Sequence, residues 1–206
     1  MNNQNSQRIT QTIAILQYNL NRNQDTTHSV LNDSSSSKYT VIMLQEQHIF
    51  MNTNSSSIHH SWTLIEAKAM ENHPPQAAIY LNKTILPAHS YETIHMEIPY
   101  IIAVALQLDR AQHPTLIINV YNSKNTAQLK ELRTYLQKHL RDNTYNRIIM
   151  AGDFNLHHPL WNPPKYPTQD SEVDTLIDII SQTRLKPMLP AGTIIFSRAK
   201  TAIDLV

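Results

Sequence analysis

Short apolar runs rich in β-branched residues recur along the chain, at residues 13–16, 41–44, 62–65, 77–81, 101–108, 116–121 and 148–151. Runs of this length, separated by polar and turn-forming residues, predict strands. Several are apolar at consecutive positions, Ile101-Ile-Ala-Val-Ala-Leu106 above all, so both faces of those strands are expected to be covered. Two segments have helical spacing instead. Residues 126–141 place Leu129, Leu132, Leu136 and Leu140 on one stripe with a polar back, and residues 171–184 do the same with Val173, Leu176, Ile177 and Ile180. Ser171, with Asp174 three residues later, reads as the N-terminal cap of the second helix. A shorter helix is predicted at 25–32, and Asp33-Ser-Ser-Ser-Ser-Lys38 reads as an exposed loop. Strands outnumber helices and helices are interspersed among them, so the predicted fold class is α+β, two packed sheets with helices outside.

Composition narrows the function more than the fold. The chain has 206 residues, a length that favours one domain, expected to span 12–206 behind a disordered segment 1–11. Lysine and arginine balance the acidic residues to a net charge of +1, so any nucleic-acid binding has to come from a local patch. The absence of cysteine excludes disulfides, thiolate zinc sites and a cysteine nucleophile. With only two glycines, Gly152 and Gly192, glycine-rich phosphate loops and dinucleotide fingerprints are excluded as well. No apolar run approaches the roughly 18–20 residues that cross a bilayer, and the N-terminus lacks signal-peptide character, so an intracellular protein without a membrane partner is expected.

Polar residues able to bind metal or phosphate stand where predicted strands end: Asn19, Glu46, Tyr121 with Asn122, and Asp153 with Asn155. In a layered fold, adjacent strand ends converge on one rim, where a hard cation such as Mg²⁺ finds carboxylate, amide and water oxygens. Taken singly, Asn19 could close a strand in an Asx-turn, Glu46 could be a solvated strand end, and Tyr121 could be a half-buried core tyrosine. Gly152-Asp-Phe-Asn155 is harder to explain as structure alone, since an extended segment there would put Asp153 and Asn155 on one side and Phe154 on the other. Of the eleven histidines, only His157 and His158 follow this run, with phosphate contact and loop packing both open to them.

The ordered set Gln17-Tyr-Asn19, Leu44-Gln-Glu46, Asn119-Val-Tyr121, Gly152-Asp-Phe-Asn155 and Ile203-Asp204 resembles the endonuclease/exonuclease/phosphatase superfamily, with its DNase I-like fold. Within it, Leu16-Gln-Tyr-Asn-Leu-Asn21, Gly152-Asp-Phe-Asn-Leu-His-His-Pro-Leu-Trp161-Asn-Pro163, Leu189-Pro-Ala-Gly-Thr193 and Ala202-Ile-Asp-Leu-Val206 look most like the endonuclease domains of fungal-type non-LTR (LINE) retrotransposons. The resemblance implies a four-layered α/β sandwich of two mixed sheets flanked by helices, and metal-dependent cleavage of a phosphodiester bond. By match, Glu46 holds Mg²⁺, or Mn²⁺ in its place, with help from Asn19. Tyr121 contacts the scissile phosphate, Asp153 aligns or activates the attacking water, Asn155 stabilises developing charge, and Asp204 orients a catalytic histidine. Asn122, His157 and His158 are the expected DNA or phosphate contacts.

The implied partners are double-stranded DNA, nicked to prime reverse transcription, and a reverse transcriptase domain of the same element, with a nuclear location. The sequence departs from the pattern in two places. The family's final Ser-Asp-His lies beyond Asp204, and Thr201-Ala-Ile-Asp-Leu-Val206 stops in strand-like sequence, so a domain without its last strand and with little activity is expected. The glycine usual before the strand at residue 77 is replaced around Gln76-Ala77. An inert remnant that keeps fold and weak DNA binding, and a phosphatase of the same superfamily, are the alternative functions.

Overall fold

A computed structural model of the chain describes residues 12–67, 74–96, 98, 100–108, 112–124, 126–163, 169–193 and 204–205. The expected tail 1–11 and the motif residue Ile203 lie outside them.

The first sheet has the order β1 (Ile15–Asn19), β2 (Val41–Gln45), β6 (Ala77–Asn82), β5 (Trp62–Glu66). β1 runs parallel to β2, and the remaining pairs are antiparallel. The second has the order β11 (Asp204–Leu205), β10 (Arg147–Asp153), β9 (Thr115–Tyr121), β8 (Ile101–Leu106), β7 (Tyr91–Ile94). Only β10 and β9 are parallel there. The hairpin of β3 (Ile49–Phe50) and β4 (Ser55–Ser56) stands apart. Helix α1 (Gln24–Asn32) connects the parallel pair of the first sheet, and α2 (Thr126–Arg141) connects that of the second, followed after β10 by α3 (Val173–Thr183).

Alternation along the strands sorts the core into layers. Val41, Met43, Ile79 and Leu81 face Ile102, Val104, Leu106 and Ile117 between the two sheets. The intervening residues Ile42, Leu44 and Tyr80 pack with Leu31 of α1 on the outer side of the first sheet. On the outer side of the second, Ile101, Ala103, Leu116 and Ile118 meet Leu129, Leu132 and Leu136 of α2 and Leu176 and Ile179 of α3. The order is therefore helix, sheet, sheet, helices, the four-layered α+β sandwich the sequence predicts. The consecutive apolar positions of β2 and β8 are covered on both faces, as expected.

Three local expectations change. The cap of α3 is not Ser171: Glu172 precedes the helix in a helical backbone conformation without a side-chain cap, and the Val173 N–H finds the Asp170 carbonyl instead. In α2, Leu140 ends the apolar stripe exposed instead of joining Leu129, Leu132 and Leu136 in the core. The segment Ser34–Lys38 is a 3₁₀ turn held by the Asp33 side chain, with Ser36 buried, because a serine-rich run can satisfy its own backbone.

A polar chain crosses the apolar layer between the sheets. Gln17 Nε2 donates to Gln45 Oε1 at 2.7 Å, and Gln45 Nε2 donates to Asn119 Oδ1. Asn119 Nδ2 then donates to the Leu44 carbonyl at 2.9 Å and the Ala78 carbonyl at 2.8 Å. One side chain of β9 thereby grips two strands of the opposite sheet. Buried and fully used, such a network fixes how the sheets register on one another.

One position further along β9, Gly152 of β10 lies opposite Val120 with φ 144°. A Cβ there would stand 1.9 Å from the Val120 carbonyl oxygen, so no side chain fits without displacing β9.

Two outcomes follow from this packing. Gly152→Ala should unfold the chain or destabilise it by several kcal/mol, since it combines a backbone clash with a disfavoured φ; thermal unfolding measures this, and a near-native Tm would show that β9 and β10 can separate freely. Asn119→Ala should cost about 3 kcal/mol, because two carbonyls and the Gln45 amide lose their buried partner together; a loss under about 1 kcal/mol in urea unfolding would mean that water replaces the network.

Candidate active site

The carboxyl ends of the two parallel strand pairs meet at one rim. Asn19 closes β1, Glu46 follows β2, Tyr121 closes β9 and Asp153 closes β10. The Asn19 amide joins the two sheets: its Nδ2 donates to Asp153 Oδ2 at 2.7 Å and to Glu46 Oε1 at 3.3 Å. Its oxygen accepts the Asn21 N–H at 2.9 Å, which fixes which way the amide points. Asn19 thus bridges two carboxylates through its N–H₂ group, and the oxygen that would reach a cation is occupied by the chain itself.

The rim is built from unusual backbone. Asn21, Arg22, Glu46 and Asn155 all have positive φ, between 45° and 58°. A left-handed residue other than glycine carries a conformational cost, and such residues gather where side chains must be aimed. Hydrogen bonds hold the strain: the Arg22 N–H donates to the Glu46 carbonyl at 2.6 Å and the Glu46 N–H to the Gln76 carbonyl at 2.9 Å.

Asn155 departs from the extended geometry expected for Gly152-Asp-Phe-Asn155. β10 ends at Asp153, and the chain turns over so that the Asn155 N–H donates to Asp153 Oδ1 at 3.0 Å. The Asn155 side chain donates to the Asn122 carbonyl at 3.0 Å. The reason is local: an Asx-turn satisfies the second backbone donor past the strand, and asparagine tolerates the left-handed conformation found there. Phe154 does face away, fully buried under α2 and α3.

Asp153 is buried, and that burial pushes its carboxyl pKa from 3.8 up to about 6, with the Glu46 charge adding to the rise and hydrogen bonds from Asn155 and Asn19 opposing it. Burial likewise pushes the Tyr121 hydroxyl up to about 12, helped by Glu46 and Asp153, so it remains a donor at neutral pH. The Arg22 guanidinium stands 3.7 Å from Glu46, largely in solvent. Arg22 was not legible as a site residue, since it sits beyond the strand in a polar loop.

The remaining candidates lie further out. Asn122 is buried, donates to the Phe154 carbonyl at 2.8 Å and leaves its Oδ1 without a partner. His157 is tied to Asp170, whose Oδ2 accepts the His157 N–H at 2.7 Å and lies 3.0 Å from Nδ1. Burial works against ionisation of Asp170, yet these bonds hold its pKa below the ordinary value. His158 Nδ1 accepts the Leu160 N–H at 3.1 Å and its ring packs beside Trp161, an arrangement that shapes the loop. Asp204 lies opposite Asp153 in the β10–β11 ladder.

Among the described residues, no three acidic or histidine side chains gather into a metal cage. Mg²⁺ does not need one, because it is held by one or two carboxylates and keeps several waters. Two carboxylates, Glu46 and Asp153, sharing a rim with hydroxyl and amide groups fit that ion.

Two mixed sheets packed face to face, with strand-end acids and amides gathered on one rim, define a DNase I-like fold. Residues 115–206, which carry Tyr121, Asp153 and Asn155, match the family described as endonuclease-reverse transcriptase. The structure is similar to the endonuclease domain of TRAS1, a telomere-specific non-LTR retrotransposon, with a TM-score of 0.67 at 17% identity over 94% of this chain and 82% of that one. It is also similar to an AP endonuclease from Archaeoglobus fulgidus, with a TM-score of 0.55 at 12% identity over 94% of this chain and 85% of that one. The AP endonuclease LMAP from Leishmania major gives a TM-score of 0.55 at 13% identity over 83% of this chain and 66% of that one. No curated protein matches the chain. Among the described residues, no helix is long and apolar enough to cross a membrane.

The raised Asp153 value has a definite sign. The folded state holds the proton more tightly than the unfolded state, so this group's contribution to stability is present below about pH 3.8 and is lost as pH rises through about 6. In metal-free protein the Asp153 carboxyl should titrate near pH 6 by ¹³C NMR, and its ionisation should cost stability of the order of 1–3 kcal/mol by pH 7. A midpoint at an ordinary carboxylate value would show that water reaches the group freely.

Proposed function

We propose that the chain is the endonuclease unit of a non-LTR retrotransposon, hydrolysing one phosphodiester bond in double-stranded DNA with Mg²⁺, or Mn²⁺ in its place. The observation that carries this reading is the bridge from Asn19 to both Glu46 and Asp153, which unites acids from two sheets beside Tyr121.

In this reading Glu46 is the principal metal ligand, and Asn19 assists at the metal site by holding Glu46 and Asp153 side by side through its N–H₂ group. The ion supplies charge neutralisation at the scissile phosphate. Tyr121, protonated at neutral pH, donates to a phosphate oxygen. Asp153, with a pKa of about 6, is ionised at neutral pH yet basic enough to align the attacking water and accept its proton. The Asn155 amide lies beside Asp153 and donates to the oxygen on which charge develops, leaving its bond to Asn122 as substrate arrives. Asn122, His157 and His158 position the DNA strand. Asp204 orients the histidine of the Ser-Asp-His segment that the resemblance implies. The nick would prime synthesis by a reverse transcriptase domain of the same element, in the nucleus.

Supercoiled-plasmid nicking tests the reading, on the 206-residue chain and on a chain that also carries the Ser-Asp-His segment. The longer chain should nick in Mg²⁺ and not in EDTA, at a rate about 10²-fold or more above the shorter one. Asp153→Ala and Glu46→Gln should each remove the activity while leaving the protein folded. A folded, longer chain silent in both Mg²⁺ and Mn²⁺ would favour an inert relative of the family, and a phosphate-releasing activity without nicking would favour a phosphatase.

A further inference from the structure

Arg22 stands at the rim with its backbone fixed and its guanidinium uncommitted. Its backbone N–H donates to the Glu46 carbonyl at 2.6 Å. On either side, the Asn21 N–H donates to Asn19 Oδ1 at 2.9 Å and the Asn23 N–H to the Leu20 carbonyl at 3.0 Å. A φ of 58° suits glycine or asparagine better than arginine, so this side chain is kept here at a conformational cost. The side chain itself is 68% exposed. Among the described residues its guanidinium donates no hydrogen bond, and Nε only approaches Glu46 Oε2, at 3.7 Å. That contact is charge attraction alone.

Two places compete for this guanidinium. One is Glu46, whose Oε1 accepts from Asn19 Nδ2 at 3.3 Å and whose Oε2 faces Arg22. The other is a groove of about 550 Å³ beside the rim, which Arg22 lines together with Tyr100, Tyr121 and Ser123. Among the described residues that line the groove, none is acidic, so an anion there meets hydroxyl groups and a guanidinium. The planar fork of N–H donors on arginine matches the oxygens of a phosphate. A long side chain on a pinned backbone can serve both places, but only one at a time.

We propose that Arg22 is a two-position phosphate clamp. It stands beside Glu46 while that carboxylate is free, and turns into the groove to hold a DNA backbone phosphate next to the scissile one once a divalent cation takes Glu46. The inference rests on the endonuclease reading for the cation and the polymer. The driving force is elementary: a cation on Glu46 repels the guanidinium from Oε2, and the groove offers it an anion in exchange. Arg22 is a positioning residue in this scheme, since it touches a neighbouring phosphate and not the reacting one. Its consequence is an ordered site, in which the strand is gripped firmly only after the cation is in place.

The test uses the 206-residue chain with Arg22→Asn, which suits the left-handed backbone and removes the charge, and Arg22→Lys, which keeps the charge without the fork. In Mg²⁺ titrations followed by NMR, without DNA, Arg22→Asn should bind the ion about two- to fivefold more tightly than the parent, the range of an exposed ion pair. Fluorescence anisotropy with a short labelled duplex should show the reverse order. In Mg²⁺, Arg22→Asn should bind DNA about tenfold more weakly than the parent, the size of a charge-assisted hydrogen bond. In EDTA the two should bind nearly alike, because the guanidinium is then held by Glu46. Arg22→Lys should recover part of the difference. Lys38→Gln, which removes a charge before β2 instead of after it, should behave as the parent. An equal loss of DNA affinity in EDTA and in Mg²⁺, or an unchanged Mg²⁺ affinity in folded Arg22→Asn, would overturn the proposal. If Glu46→Gln still abolishes Mg²⁺ binding in that event, the endonuclease reading survives. Mg²⁺ that binds none of these proteins defeats both.

Discussion

Asn119 is the interaction on which the rest of the molecule depends. Two sheets packed through aliphatic side chains can slide over one another at small cost, because dispersion and burial have little direction. The directional element within that layer is an amide from β9 that donates to carbonyls of β2 and β6 and accepts from Gln45, and the Asn19–Asp153 bond adds a second link at the rim. β2 leads directly into Glu46, and β9 leads directly into Tyr121. A shift of one sheet on the other would therefore separate the two halves of the rim before it exposed any core.

The rim repeats this logic on a smaller scale. Asn19 bonds to acids that arrive from different sheets, and its hold on Asp153 spans 134 residues of sequence. The bond to Asp153 crosses between the sheets, as the Asn119 clasp does, whereas Asn19 and Glu46 come from neighbouring strands of one sheet. Left-handed residues at Asn21, Arg22, Glu46 and Asn155 then turn the chain sharply away from the strands, so the side chains stay while the loops leave. Gly152 performs the complementary task within β10, allowing β9 to approach closely enough for the Asp153 carbonyl to accept the Asn122 N–H at 2.8 Å.

The layers were legible because both faces of β2, β8 and β9 are buried, and that leaves uninterrupted apolar runs in the sequence. β7 left no such mark: Glu92 is exposed and the strand pairs only with β8 at the edge of its sheet. The two-residue strands β3 and β4 are too short to impose a pattern. Strand-end positions disclosed Asn19, Glu46, Tyr121 and Asp153 as candidates, but no spacing could show that one amide would join two acids. Asn155 misled for a physical reason, since an asparagine after a strand has its own hydrogen-bonding solution in the Asx-turn. Gln45 and Asn119 did carry a signal, as polar residues interrupting apolar strands, and the structure gives that interruption its purpose.

Electrostatics complete the picture. Glu46 and Asp153 sit near each other with a neutral amide between them, and the Arg22 guanidinium beside Glu46 is too solvent-exposed to offset two charges. The chain as a whole offers little help, with a net charge of +1. Under the proposed function, a rim of this sign repels the phosphate of a nucleic acid unless something positive arrives with it, whether a bound cation or a rearranged Arg22. Substrate and cation are then linked thermodynamically, each raising the affinity for the other by the same factor. Burial is the main cause of the raised Asp153 pKa and the Glu46 charge adds to it, so the proximity of two acids that Asn19 holds in place contributes both to that rise and to the proposed need for a metal.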